Sequence, residues 1–156
     1  MIYGVGTDLI DTNRIQKLLE KFGKKFIYRI FSHEEIKASK TSFNRALFFS
    51  KRFAGKEAFW KAVSPSQNLI LHFNEIEILS ERNGKPYLNL IGETKTRLND
   101  FEKSLNGTFN YHISLSDEKP NAIAFVIIFL AQVNSVLHKE NKKRLWMSNK
   151  NKKNNS

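Results

Sequence analysis

The segment "RFAGKEAFWKA", residues 52–62, constrains the fold more than any other part of the sequence. It belongs to a longer pattern that predicts a helix over about 43–63, which ends before Pro65 because a residue that precedes proline disfavours helix. Positions three and four residues apart share a helix face. One such face contains Phe49, Phe53, Glu57 and Trp60. A carboxylate in the middle of an aromatic stripe needs an explanation.

Two interpretations of Glu57 follow from the local sequence. Glu57 can pair with Lys61, four residues later, in the acid-first orientation that stabilises a helix by about 0.2–0.5 kcal/mol. Alternatively, Glu57 is a ligand or an acid/base group that a rigid helix holds partly away from water. The choice depends on a partner elsewhere in the chain.

The remaining periodicities predict a mixture of helices and strands. Ser32 and Glu35 form the pattern of a capping box, which marks a helix start. Hydrophobic periods of 3.6 and of two residues locate the other elements. The predicted elements are a strand at 2–7, helices at 12–22 and 33–40, a hairpin from 75 to 90 with a tight turn at Asn83-Gly84, a helix at 93–105 that stops at Gly107, and strands at 111–116 and 122–131. We expect an α+β fold, a small antiparallel sheet with packed helices.

Composition limits the classes of protein. A chain of 156 residues with 40% hydrophobic content suits one globular domain. It has no cysteine, which excludes thiolate catalysis and disulfides and fits a reducing cytoplasm. The start of the chain lacks the pattern of a signal peptide, and the apolar run at 122–131 is too short to span a membrane. We therefore expect a cytoplasmic protein without a membrane span.

The formal net charge of +11 is distributed unevenly. Residues 138–156 contain seven Lys and Arg against one Glu. We expect a domain over 1–131 and a basic, largely disordered tail over 132–156. Within the domain, Arg14, Lys17 and Lys21 recur on one face of the first predicted helix. This basic stripe favours an acidic partner.

Asp8 is the candidate partner of Glu57. It follows a strand in which Gly4 and Gly6 allow another backbone or a ligand to approach closely. Two carboxylates, together with substrate phosphates and water, suit Mg²⁺. The candidate groups for binding phosphate are Arg52, Lys56, Lys61, Lys85 and His112. The residues alone therefore indicate Mg²⁺-dependent phosphate chemistry.

Five motifs, taken in order and spacing, resemble those of bacterial holo-acyl-carrier-protein synthases, small 4′-phosphopantetheinyl transferases. They are "GVGTDLIDTNRI", "RIFSHEE", "RFAGKEAFWKA", "NGKPYL" and "HISLSDEKPNAIAFVI". The resemblance runs from residue 1 to about 130. It implies the transferase fold and the transfer of 4′-phosphopantetheine from coenzyme A to a serine of an acidic apo acyl carrier protein. The released product would be adenosine 3′,5′-bisphosphate.

The resemblance also implies roles for individual residues. Asp8 and Glu57 match the magnesium ligands, and Lys61 matches the lysine at the reacting centre. The residues that match the coenzyme A site are Arg52, Gly84, Lys85, Pro86 and His112, to which we add Lys56 for its position beside Glu57. Arg14 matches a contact with the carrier. Small members of the family form trimers with shared active sites. Glu57, a metal-bound water or Lys61 could accept the proton of the serine.

Two departures and two alternatives remain. Family members have a glycine-rich stretch after the long helix, whereas this chain has "VSPSQNLI" at 63–70, and Gly55 stands where alanine is usual.

One alternative is a nucleic-acid-binding module, given the net charge and Trp146 in the basic tail. No RNP-like, zinc or helix-turn-helix signature supports it, so no nucleic-acid partner is expected. The other alternative is an inactive relative that only binds carriers, against which the intact Asp8, Glu57 and Lys61 argue.

Overall fold

The computed structural model describes residues 1–63 and 69–132. This part of the chain has largely segregated helices and antiparallel strands, the α+β arrangement that the sequence predicts. The elements, in chain order, are β1 (Ile2–Asp11), α1 (Thr12–Phe22), α2 (Lys24–Ile30), α3 (His33–Ser39), α4 (Arg45–Val63), a 3₁₀ turn (Phe73–Glu75), β2 (Ile76–Ser80), β3 (Pro86–Leu90), α5 (Gly92–Ser104), β4 (Gly107–Glu118) and β5 (Asn121–Gln132). Within the described residues, no helix has the length and apolar character needed to cross a membrane.

The larger sheet is antiparallel with the order β1-β5-β4. The apolar run at 122–131 forms its central strand, which confirms the predicted strand. Its alternate residues Ala122, Ala124, Val126, Ile128 and Leu130 are buried. The sequence predicts a buried strand, but the single chain buries only one side of it, because Ile123 and Phe125 on the other face are 42% and 43% exposed. The sheet therefore has one covered face and one open face.

Helix α4 packs on the covered face and crosses β1 at two glycines. A Cβ atom at Gly4 would overlap the carbonyl oxygen of Ala62, and one at Gly6 would overlap that of Ala58. The two backbones can approach this closely only because both residues lack a side chain. Asp8 has the same strand parity as Gly4 and Gly6, so it lies on the α4 side of the sheet. β1 continues to Asp11, so Asp8 lies inside the strand and not at its end.

The smaller sheet is the hairpin β2–β3. The prediction of a tight two-residue turn is wrong, because a five-residue connection separates the strands and only Gly84 has a positive φ, of +87°. Asn83 acts through its side chain, which accepts a hydrogen bond from the Lys85 N–H at 2.9 Å. Gly55 of α4 faces this hairpin, and a Cβ there would come within 3.1 Å of the Ile78 side chain.

The helices before α4 show one confirmed signal and one missed element. The capping box of Ser32 and Glu35 begins α3, as predicted. Helix α2 was not predicted. It starts after Gly23, whose φ of +50° breaks the chain away from α1. Helix α5 ends near Asn106, which has the positive φ (+51°) expected of Gly107, while Gly107 begins β4.

Candidate active site

Asp8 and Lys61 meet where β1 crosses α4. The Lys61 Nζ donates to Asp8 Oδ1 at 2.8 Å and to the Thr7 carbonyl at 3.0 Å. The two side chains are 17% and 46% exposed, Asp8 being the more buried. Lys61 thus pairs with Asp8, and no ion pair joins it to Glu57. The helix-stabilising pair that the local sequence allowed is replaced by a contact between two elements.

Glu57 lies one turn before Lys61 on the same side of α4 and is half-buried. Burial raises the pKa of Glu57, and the negative charge of Asp8 raises it further. Lys61 and Arg14 lower the pKa of Glu57 by smaller amounts. Two carboxylates and two cations therefore share one local field. Like charges held together in this way favour a proton or a cation between them.

The donor set of this site fits Mg²⁺. Asp8 and Glu57 supply carboxylate oxygens, which Mg²⁺ prefers, and two protein ligands are typical of a magnesium ion that also binds water and substrate phosphates. No group of three or more His, Cys, Asp or Glu side chains comes together in residues 1–63 and 69–132.

The basic stripe of α1 forms one surface beside the site, which we call the α1 basic face. Arg14, Lys17 and Lys21 are exposed and line a cavity of about 330 Å³ together with Leu18 and Phe22. Its other lining residues are Asp11 and Asn13, so three cations and one carboxylate accompany its apolar side chains. Arg14 is its end nearest to the carboxylates, since its charge lowers the pKa of Glu57.

Arg52 is 8% exposed, and its guanidinium lies over the Phe48 ring, 3.5 Å from the ring centroid. Burial lowers the pKa of Arg52 to about 10, and the charge of Glu35 opposes this shift. Its buried Nε has no hydrogen-bond partner in the described part of the chain. Part of the donor capacity of this buried guanidinium is therefore unused in the described part of the chain.

The assignment of Lys56 to the cofactor site is wrong. Lys56 is fully buried, and its Nζ donates to Glu35 Oε2 at 2.7 Å, to the Phe73 carbonyl at 2.8 Å and to the Ile76 carbonyl. All three N–H donors of the ammonium are used, so none is available for a phosphate. The sequence reasoning missed the second role of Glu35, which it identified only as a capping residue. A buried lysine requires a buried acid, and that requirement is the signal that would have indicated it.

The other predicted site residues lie apart from the two carboxylates. Tyr111 of β4 packs on Phe59 of α4, with ring centroids 5.4 Å apart. The next residue, His112, therefore points to the open face, where its ring lies 5.3 Å from that of Phe129. Gly84 and Lys85 are exposed at the connection of the hairpin, followed by Pro86 at the start of β3. One chain does not bring His112 to Asp8 and Glu57. Most of the glycine-poor segment at 63–70 lies outside the described residues.

Comparison with known proteins identifies the family of this chain. The family model of the 4′-phosphopantetheinyl transferase superfamily matches residues 4–124. A holo-[acyl-carrier-protein] synthase of Zymomonas mobilis is 43% identical over 130 residues, which cover 82% of this chain and 96% of the relative. The crystal structure of the synthase from Neisseria meningitidis is similar with a TM-score of 0.71 and 34% identity, covering 83% of this chain and 99% of that one.

A further solved structure is that of a holo-(acyl-carrier-protein) synthase from Bacillus anthracis in complex with CoA (3′,5′-ADP). It has a TM-score of 0.64 and 32% identity, and the match covers 82% of this chain and 96% of that one. The chain belongs to the 4′-phosphopantetheinyl transferase superfamily, and within it to the enzymes of the holo-[acyl-carrier-protein] synthase type. The comparisons favour an enzyme over the two alternatives that the sequence left open.

Proposed function

We propose that this enzyme transfers 4′-phosphopantetheine from coenzyme A to a serine of an apo acyl carrier protein, with Mg²⁺ held by Asp8 and Glu57. The observation that carries the proposal is the placement of these two carboxylates beside Lys61 at the crossing of β1 and α4. The Bacillus anthracis relative was solved with CoA (3′,5′-ADP), which supports coenzyme A as the donor here. We expect the reaction to take place in the cytoplasm.

The reaction breaks one phosphorus–oxygen bond and forms another. The serine oxygen attacks the phosphorus that carries the pantetheine, the pyrophosphate bond breaks, and adenosine 3′,5′-bisphosphate leaves. The protein mainly has to position the groups and neutralise charge. When bound, Mg²⁺ would supply positive charge to the phosphate oxygens. Asp8 would hold the ion, Lys61 would keep Asp8 oriented and offer positive charge to the leaving group, and Glu57 would complete the ligand set and lie near the serine proton.

The α1 basic face is the proposed docking surface for the carrier. Arg14, Lys17 and Lys21 would meet acidic side chains of the carrier, while Leu18 and Phe22 would contact apolar ones. The charge of Arg14 lowers the pKa of Glu57, so the proposed docking surface extends to the proposed reacting centre. A carrier bound there would bring its serine towards the two carboxylates.

We also propose that the enzyme is a homotrimer with shared active sites. The open face of the larger sheet exposes large apolar side chains, namely Val5 (50%), Leu9 (63%), Ile123 (42%), Phe125 (43%) and Phe129 (36%). An exposed apolar face of this kind marks an interaction site. His112 lies on this face, and Asp8 and Glu57 lie on the other. A neighbouring chain packed against this face can therefore supply His112 to a site that contains the carboxylates of the first chain.

Transfer is tested by incubating the protein with coenzyme A, Mg²⁺ and an apo carrier and weighing the carrier by mass spectrometry. We expect the carrier to gain the mass of one phosphopantetheine group, and the gain to disappear when Mg²⁺ is removed by a chelator. An unmodified carrier in the complete mixture would refute the transfer. Modification that survives exhaustive chelation would refute the metal assignment alone.

Shared sites are tested by complementation. Asp8→Ala and His112→Ala chains are mixed, unfolded and refolded together. If each site takes Asp8 and His112 from different chains, random assembly leaves about a quarter of the sites with both residues intact, so activity returns. If both residues come from one chain, the mixture stays as inactive as its components. Light scattering on the unmixed protein measures the number of chains.

A further inference from the structure

The strand β2 has a free edge that no other strand covers in the described part of the chain. In the hairpin, β2 pairs with β3 on one side only. On the other side, the Ile76 carbonyl and the Ile78 N–H point away from β3 into the core, where both residues are fully buried. Backbone groups buried in this way must find partners.

Two side chains from two different helices supply those partners. The Ile78 N–H donates to Glu35 Oε1 at 3.0 Å, and the Lys56 Nζ donates to the Ile76 carbonyl. Glu35 and Lys56 are joined to each other at 2.7 Å, and neither side chain is exposed. Together they offer one acceptor and one donor to β2, as a neighbouring strand would.

The same two residues connect this edge to the rest of the chain. Glu35 Oε2 also accepts the Ser32 N–H, which fixes it to the start of α3. Lys56 also donates to the Phe73 carbonyl, which fixes the turn that leads into β2. A single pair thus ties α3, α4 and the entry to the hairpin together. No other described contact of α4 joins so many elements through polar atoms.

We propose that Glu35 and Lys56 are positioning residues for coenzyme A: they dock the free edge of β2 and thereby fix the hairpin that presents Lys85. This inference rests on the proposed function and on the resemblance that assigns Gly84, Lys85 and Pro86 to the coenzyme A site. Neither residue touches the substrate. Both act through the hairpin, so they should affect coenzyme A and not the carrier, for which a different surface, the α1 basic face, is proposed.

The test uses the full chain with Glu35→Gln and Lys56→Met combined. The double variant keeps the approximate shapes but removes both charges, so it leaves no uncompensated buried ion behind. The matched control is Lys51→Met with Asp117→Asn, which neutralises another pair that α4 makes, at 2.7 Å with β4 and partly exposed. Coenzyme A affinity is measured by calorimetry, and steady-state kinetics are recorded with each substrate varied in turn.

We expect the double variant to bind coenzyme A about tenfold more weakly, with a carrier KM within about twofold of the original. The control should change neither quantity. Hydrogen exchange at the Ile78 amide should accelerate in the double variant only. Unchanged coenzyme A affinity, or an equal rise in the KM for the carrier, overturns the proposal.

A second measurement separates positioning from general damage. Lys85→Ala is made in the original chain and in the double variant. If the pair acts through the hairpin, the loss of Lys85 costs much less coenzyme A affinity in the double variant than in the original chain. Fully additive losses overturn the proposal. Should the double variant fail to fold, Glu35→Asp is tested by the same criteria, because it keeps both charges and withdraws the carboxylate from the Ile78 N–H, with a smaller expected loss.

These results are distinguishable from a failure of the proposed function. If the original chain does not transfer phosphopantetheine at all, the function itself is wrong. If it transfers normally but Lys85→Ala leaves coenzyme A binding unchanged, the hairpin does not border the nucleotide and the positioning role is overturned, while the transferase stands.

Discussion

Helix α4 carries two lysines that make nearly identical ion pairs in very different surroundings. Lys56 meets Glu35 at 2.7 Å, and Lys61 meets Asp8 at 2.8 Å. The first pair has no exposure at all. In the second pair, 46% of the lysine side chain and 17% of the aspartate side chain are exposed. Five residues of helix separate a pair inside the core from a pair at the protein surface.

The difference shows that an ion-pair distance does not define a role. The buried pair is surrounded by protein partners, which use every donor of Lys56 and give Glu35 three donors. The pair therefore has no free donor for a ligand, and its role is structural. The exposed pair lies beside Glu57 and Arg14, with charges of both signs near solvent. A site for an ionic substrate needs charged groups whose protein partners are incomplete, because the substrate has to supply the remaining partners.

The largest expected effect is on turnover at the exposed pair. Asp8→Ala and Glu57→Ala should each reduce transfer by at least about 10²-fold, because loss of one of two carboxylates removes most of the hold on Mg²⁺. Initial rates measured over a range of Mg²⁺ concentrations check this, with circular dichroism to verify the fold. Asp100→Ala, an exposed acid on α5, is the control and should be silent. A folded variant with near-normal activity at limiting Mg²⁺ would show that the metal lies elsewhere.

The buried pair should respond in stability. Glu35→Ala leaves Lys56 charged and buried and removes the acceptor of the Ser32 and Ile78 N–H groups, so it should cost about 3–5 kcal/mol of unfolding free energy. Asp8→Ala breaks the more exposed pair and should change the unfolding free energy by only about 0–1 kcal/mol. Urea denaturation of both variants measures the contrast. Similar losses for the two would mean that burial does not separate the roles of these pairs.

Local signals in the sequence predicted the parts of the fold that depend on neighbouring residues. The capping box of Ser32 and Glu35 is contained in four residues, and the end of α4 near Pro65 follows from proline chemistry. The sequence could not separate Lys56 from Lys61. Both follow an aromatic stripe on the same helix, and only the position of β2, some twenty residues later in the chain, decides that Lys56 is covered.

The site was predicted in part for the same reason. Residue chemistry paired Asp8 with Glu57, and the structure brings them close enough for Asp8 to raise the pKa of Glu57. The resemblance added His112, which the single chain keeps on the opposite face of the sheet. Side chains alternate between the two faces of a strand, so the sequence shows which residues share a face with His112. Which of the two faces α4 covers depends on tertiary packing and cannot be deduced from the sequence. Helix α2 was missed because Gly23 was not recognised as a break between two short helices.

A smaller effect concerns the carrier. Arg14→Glu combined with Lys17→Glu should raise the KM for the apo carrier about tenfold or more and leave coenzyme A binding within about twofold, because these charges line the α1 basic face. Steady-state kinetics with each substrate varied in turn test this, and calorimetry tests coenzyme A binding. Added salt should reproduce part of the defect in the unaltered enzyme, since the Debye length falls from about 10 Å at 0.1 M to about 3 Å at 1 M. An equal loss of coenzyme A affinity would place these cations at the nucleotide phosphates.

The smallest expected effect is on thermal stability, and it tests whether the charges of Asp8 and Glu57 repel each other when no cation is bound. The folded state raises the pKa of Glu57 above its ordinary value of 4.5 through burial and the charge of Asp8. The ionised Glu57 therefore opposes folding at pH 7, whereas below pH 4 it is protonated in both states and makes no difference. Glu57→Gln should raise the melting temperature by about 1–3 °C at pH 7 without metal and leave it unchanged at pH 3. The increase is small because solvent screens a half-buried carboxylate.

Saturating Mg²⁺ should reverse this order, since an ion stabilises the folded state more the more tightly it binds that state, and the glutamine variant has lost a ligand. Calorimetric melting of both proteins with and without Mg²⁺ gives the four temperatures needed. If Glu57→Gln were less stable than the original chain at pH 7 without metal, contacts within the protein would already compensate the charge of Glu57. The ion pairs of Lys56 and Lys61 would then both be satisfied by protein groups alone, and the contrast between a buried structural pair and a pair that needs a ligand would not hold.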